Sequence, residues 1–193
     1  MILDPLLDFF RGQAVTIPPM DGALRPNTAL DEADILKSCE EPDNIVSVAG
    51  KLIYSSGSEI FALNSDKSNV SFDSAITALA VNSSGVIAVG LNTGGIVLHK
   101  SKAPPLDGFN CPTALAFDGA NDLYICNGSD THSASEWAAD LMQQNASGSL
   151  WHVSLDSGKR RCLAKNLAFP YGLVIDAPNN RVIASEAWRH RLV

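Results

Sequence analysis

Positive charge is scarce in this chain, with 14 lysines and arginines against 21 aspartates and glutamates, a net charge of −7 over 193 residues. No basic stripe is available to meet phosphates, so nucleic acid is not an expected partner. Apolar runs are short as well. None approaches the roughly 20 residues that span a bilayer, and the opening MILDPLLDFFRG lacks the basic start and long apolar centre of a secretory signal. Cysteine is sparse and unpatterned: Cys39, Cys111, Cys126 and Cys162 stand singly, without CxxC spacing, which suits a reducing compartment and a cytoplasmic location. His99, His132 and His152 are not spaced as metal ligands. Neither a G-x-S-x-G elbow, a P-loop nor a dinucleotide fingerprint occurs.

What the chain does contain is a repeated pattern. Residues 169–193, FPYGLVIDAPNNRVIASEAWRHRLV, read as strand, tight turn, strand, with Asp176, Ala177, Pro178, Asn179 and Asn180 as turn formers. Residues 76–90, ITALAVNSSGVIAVG, and 112–128, PTALAFDGANDLYICNG, repeat the pattern, and NIVSVAGKLIY from Asn44 compresses it. From Ile45 to Ile76, Pro112 and Pro170 the steps are 31, 36 and 58 residues, and the long step becomes ordinary if residues 129–147 are an insertion. Units of about 40 residues with about four short strands predict β-propeller blades.

The fold expected is therefore all-β, with about four blades, the last incomplete, over residues 39–193, and a helical insertion in the third. Residues 1–38 are read as a short amphipathic helix (3–11), a strand (14–17) that closes a ring, and an acidic helical turn over Asp31–Ser38. In the insertion, Ser135 is the expected N-cap of a helix that carries Trp137, Leu141 and Met142, which either pack it onto the blade or meet a ligand. His132 in the same loop is a candidate ligand contact. Glu40, Glu41 and Asp43 cluster beside Pro42, either as a solvated turn or as a metal site. Glu186 and His190 are candidates for acid and base, or for a structural hydrogen-bonding role.

Several of these stretches together resemble the strictosidine-synthase-like branch of the six-bladed propeller superfamily, which includes senescence marker protein, gluconolactonase, luciferin-regenerating enzyme and the paraoxonases. The marks are Leu123-Tyr124 at a strand end, the insertion with Trp137, GSLWHVSLDSGKRRCL, FPYG in place of F-P-N-G, and the Glu186 to His190 spacing. They run from about Glu41 to Val193 and are densest over about 110–193. The resemblance implies a hydrolase of lactones or esters, or a synthase-like enzyme, acting on a small organic substrate in the central channel. The alternative is an inactive propeller that serves as a binding or scaffold module.

Metal-dependent members hold a calcium-like ion, and the acidic ligand position falls on Asp43, or on Glu40 in a second register. The ligand asparagines fall on Thr113 and Tyr171, so the resemblance implies a weak or lost cation site. Asp43, Thr113 and Tyr171 are expected to converge on one channel, with Tyr171, Thr113, His132 and Trp137 as substrate contacts. By the same resemblance roughly two blades lie beyond Val193, with the remaining ligand and the synthase acid, so the open strand edges are expected to self-associate and the 193 residues alone to be inactive, the longer protein being the enzyme.

Overall fold

A computed structural model describes Thr28 and residues 31–193. The expected helix over 3–11 and strand over 14–17 lie outside the described residues. Before Lys37, Asp31 N and Glu32 N donate to Thr28 O at 2.9 and 3.1 Å, and the turn ends by Ala33. The acidic helix expected over Asp31–Ser38 does not form. A helix this short needs an apolar face to bury, and Ile35 is 85% exposed.

Lys37–Val193 is one unit of four antiparallel sheets. The first blade comprises β1 (Pro42–Val48), β2 (Lys51–Ser56), β3 (Glu59–Ala62) and β4 (Ser68–Ser71). The second has β5 (Ile76–Val81), β6 (Ile87–Leu91) and β7 (Ile96–His99). In the third, β8 (Pro112–Asp118), β9 (Asp122–Asn127), β10 (Gly148–Ser154) and β11 (Arg160–Leu167) meander outwards. The fourth has β12 (Pro170–Asp176), β13 (Arg181–Glu186) and β14 (Arg191–Leu192). These are consecutive blades of a propeller, as the repeat predicts.

Turn chemistry explains the hairpins. Ala49 and Gly50 both take positive φ between Val48 and its partner Lys51, the two-residue geometry whose twist matches the strands it joins. Asn180 takes φ of 50° between β12 and β13, a conformation that asparagine tolerates better than most residues.

The core lies between blades rather than within them. Leu79, Ile87 and Val89 of blade two pack with Ile60, Val46 and Ile53 of blade one. The opposite face of blade two, with Ala78, Ala88 and Leu98, meets Leu115, Leu123, Ile125 and Val153 of blade three. Cys126 and Leu150 of blade three meet Ala184, Leu173 and Val182 of blade four. Alternation along each strand thus supplies two apolar faces, one for each neighbouring blade. No helix among the described residues is long and apolar enough to cross a membrane.

All four cysteines are free thiols. Burial pushes the Cys111 thiol up to about 11 and the Cys126 thiol up to about 12. Because the thiolate is the reacting form, a disulfide reagent at neutral pH is expected to modify Cys39 and Cys162 in the native protein and the other two only after unfolding. Four equally fast thiols in the native state would contradict this packing.

Candidate functional site

One irregularity recurs at the same place in every blade. Just after its first pair, the innermost strand slips by one residue against its neighbour. Pro42 faces Ser56 and Ile45 faces Tyr54; Ile76 faces Leu91 and Ala78 faces Gly90. Likewise Pro112 faces Asn127 and Ala114 faces Cys126, while Pro170 faces Glu186 and Gly172 faces Ser185. Such a bulge leaves a residue outside the ladder and re-aims its side chain. The equivalent positions are Asp43, Thr77, Thr113 and Tyr171, and all four line one cavity of about 380 Å³. The innermost strands β1, β5, β8 and β12 stand side by side in that order, which places the cavity where they gather.

The remaining lining residues are Ala134 and Trp137 from the insertion, Phe169 from the loop entering β12, and Ala187 and Trp188 from the turn after β13. Their rings form a continuous wall. Phe169 and Trp188 stack with centroids 4.5 Å apart, Trp137 lies 6.2 Å from Trp188, and Tyr171 stacks 6.4 Å from Phe169. Trp137 and Tyr171 remain about half exposed at the rim.

Polar groups in the cavity are few and largely engaged. Thr77 Oγ1 donates to Pro112 O at 2.6 Å, and Thr113 Oγ1 donates to Pro170 O, so each threonine ties its blade to the next. Asp43 is the one acidic side chain in the lining, and its Oδ2 accepts from Asn44 Nδ2 at 3.0 Å. Asp43 is an exposed residue, but partial desolvation of its carboxyl pushes it up, and the Asn44 hydrogen bond offsets part of that.

The insertion is built differently from its expected form. Ser133, not Ser135, precedes the helical segment: Glu136 reaches back to accept from Ser133 N at 3.0 Å and from Ser133 Oγ at 2.9 Å. A 3₁₀ turn at Ala134–Glu136 then runs into α1 (Trp137–Met142). The acid three residues after the serine is the capping-box signal that marks Ser133 in the sequence.

Of the residues singled out from sequence, Asp43, Thr113, Trp137 and Tyr171 meet at the cavity. Glu40, His132, His190 and Glu186 do not line it. Glu40 is exposed, and its backbone carbonyl accepts from Ser56 Oγ. His132 Nε2 pairs with Gln143 Oε1 at 3.0 Å inside the insertion. His190 is exposed on the β13–β14 turn, at a φ of 48°.

Glu186 sits behind the cavity wall. Its Oε1 accepts from Ala168 N at 2.7 Å and from Arg189 Nη1 at 3.0 Å, while Oε2 accepts from Arg191 Nε. Burial pushes its carboxyl up, but the Ala168 hydrogen bond and the Arg191 and Arg189 charges outweigh that and hold it below the usual range. In blade three the same position is Asn127, whose Oδ1 accepts from Cys111 N at 2.9 Å. Both side chains hold the loop that leads into an innermost strand, which is a structural task.

Sequence reasoning passed over Thr77, Phe169 and Trp188. Thr77 was findable, since ITALAV and PTALAF align it with Thr113. Phe169 and Trp188 sit 19 positions apart, and nothing in their spacing announces the stack.

Calcium takes about 6 to 8 oxygen ligands, mainly carboxylates and carbonyls. The cavity offers one carboxylate, two threonine hydroxyls already bonded to carbonyls, and a phenol. Among the described residues no group of three or more His, Cys, Asp or Glu gathers where an ion could be held. This donor set does not fit a calcium ion.

Residues 114–193 match the family model described as strictosidine synthase. No curated protein matches the chain. The matched span runs from the innermost strand of blade three through blade four, and includes the insertion, the aromatic wall and Tyr171. Over those residues the chain is similar to the strictosidine synthase family, whose members are propellers, in keeping with the blades described above.

Proposed function

We propose that this propeller takes up a small, largely apolar organic molecule in the cavity and acts on it by metal-free proton transfer through Asp43. One observation carries the reading: a cavity of about 380 Å³ walled by four aromatic rings and containing a single carboxylate. Cavities of a few hundred Å³, mostly apolar with a few placed polar groups, suit small ligands. A carboxyl whose proton affinity is raised by its surroundings is better matched to proton transfer near neutrality than a fully solvated one. Hydrolysis of a lactone by the calcium route is disfavoured by the donor set.

A second reading, a binding module without turnover, draws support from the engaged threonines and from the placement of Glu186 and His190 outside the lining.

Titration with a neutral naphthalene dye whose emission shifts in apolar surroundings tests the common part. Wild-type protein should bind it, and Tyr171→Ala should weaken binding about fivefold, the worth of one aromatic contact. Absence of dye binding would remove the ligand reading. Asp43→Asn should keep the dye affinity within about twofold, because the dye is uncharged. On a panel of esters, lactones and carbon–carbon bond-forming condensations, the same variant should lose at least about 100-fold in rate. No turnover by wild type on that panel would favour the binding module. A calcium titration that raises the melting temperature by several degrees would restore the metal route.

A further inference from the structure

Two carboxylates among the described residues are fully buried, and only one of them meets a cation. Glu186 has its arginines. Asp140, on α1 of the insertion, is 1% exposed and is held by two neutral donors: Ser129 Oγ reaches Oδ1 at 2.7 Å, and Trp188 Nε1 reaches Oδ2 at 3.0 Å. Burying a carboxylate with neutral partners costs stability relative to an apolar side chain of similar size. What the arrangement supplies is direction, because the two oxygens fix two different elements at once.

On one side, Ser129 Oγ is a hub at the base of the insertion. It accepts from Thr131 N at 3.2 Å and His132 N at 3.1 Å and lies 3.1 Å from Ser147 Oγ, so it joins the two ends of the loop. On the other, the tethered indole is the middle member of the aromatic wall, stacked on Phe169 and next to Trp137. With the tether cut, the Trp188 ring is free to turn about its side-chain bonds, and the wall loses its fixed outline.

We infer that Asp140 is a positioning residue that fixes the Trp188 indole and so sets which ligand shapes the cavity admits. The inference rests on the reading of the cavity as a ligand site.

Its test uses the whole chain, the same neutral dye and the Trp188 indole N–H resonance, identified by its loss in Trp188→Phe. Asp140→Leu removes the acceptor while keeping the branch at Cγ, in a larger side chain; the indole resonance should move, and dye affinity should fall about fivefold, as expected for one lost hydrogen bond. Asp140→Asn keeps an acceptor for the indole while Ser129 turns its hydrogen towards Ser147, and should restore both the resonance and the affinity to within about twofold. A moved resonance with unchanged affinity in Asp140→Leu would overturn the inference and leave a purely structural residue. Should that variant not fold, Trp188→Phe, which keeps an aromatic ring and removes the tethered N–H, answers the same question. Affinity within twofold of wild type there would also overturn it. Wild-type protein that takes up no dye would sink the ligand reading itself, whereas normal binding in both variants would sink only the role of Asp140.

Discussion

Alanine at Gly148 is expected to cost about 3 kcal/mol or more, the upper end for overpacking a tight site. Gly148 opens β10 where the chain returns from the insertion. A Cβ there would stand 2.4 Å from Pro170 Cδ, 2.6 Å from Gly128 O and 2.8 Å from Leu167 O. None of these neighbours is the far end of a flexible side chain; one is a proline ring and two are backbone carbonyls. Relief therefore requires moving blade four away from blade three just where Thr113 is bonded to Pro170 O. Against a domain stability of roughly 5 to 15 kcal/mol this is a large fraction. Gly158→Ala is the matched control: its Cβ would meet nothing within 4 Å, and only its φ of +66° resists the change, at about 1 kcal/mol. Denaturant melts of the two variants compare them directly, and a Gly148→Ala midpoint close to that of Gly158→Ala would mean that the blade junction is looser than described.

Glu186→Ala is expected to destabilise the fold by about 2 to 3 kcal/mol, at the lower end for breaking a buried ion pair. The reduction reflects the two arginines, whose side chains are 44% and 53% exposed and can turn to water. The remaining loss is the Ala168 N–H, left without its acceptor. The sign with pH follows from the lowered folded-state value. An ordinary glutamate value of 4.5 applies in the unfolded chain, so the stabilisation is complete above that value and disappears as pH falls through the depressed folded one. The gap in unfolding free energy between wild type and Glu186→Gln should accordingly be widest near neutrality and close towards acid. A gap that widened on acidification would contradict the ion-pair account. If Glu186 were instead the reacting acid, its removal would abolish turnover in protein of unchanged stability, which is the opposite pattern.

The propeller was legible because each blade announces itself locally: an apolar run, a turn of Asn, Asp, Gly or Pro, and a second run, as in ITALAVNSSGVIAVG. The cavity was legible to the same depth. Aligning Asp43, Thr113 and Tyr171 as the second residues of their strands puts them on one side of the ring, and the shared bulge is what makes the alignment physical. Side-chain partnerships were not legible. Glu186 was open to acid–base chemistry or to a structural hydrogen-bonding role, but its partners were hidden: the turn after β13 carries Arg189 and Arg191 back to the carboxylate and leaves His190 outward. Nothing local marks Asp140 as buried, since its indole partner, Trp188, lies 48 residues further along the chain.

The recurring bulge also separates what the chain must keep from what it is free to change. Asp43 and Tyr171 stand outside the ladder, and their side chains make no hydrogen bond to the adjoining blade, so exchanging either should redraw the lining chemistry at little thermodynamic cost. Thr77 and Thr113 occupy the same kind of position but fasten neighbouring blades together, and replacing them sacrifices a junction. Two of the four sockets are thus open to retuning and two are rivets, which makes positions 43 and 171 the natural starting points for changing the chemistry of the cavity.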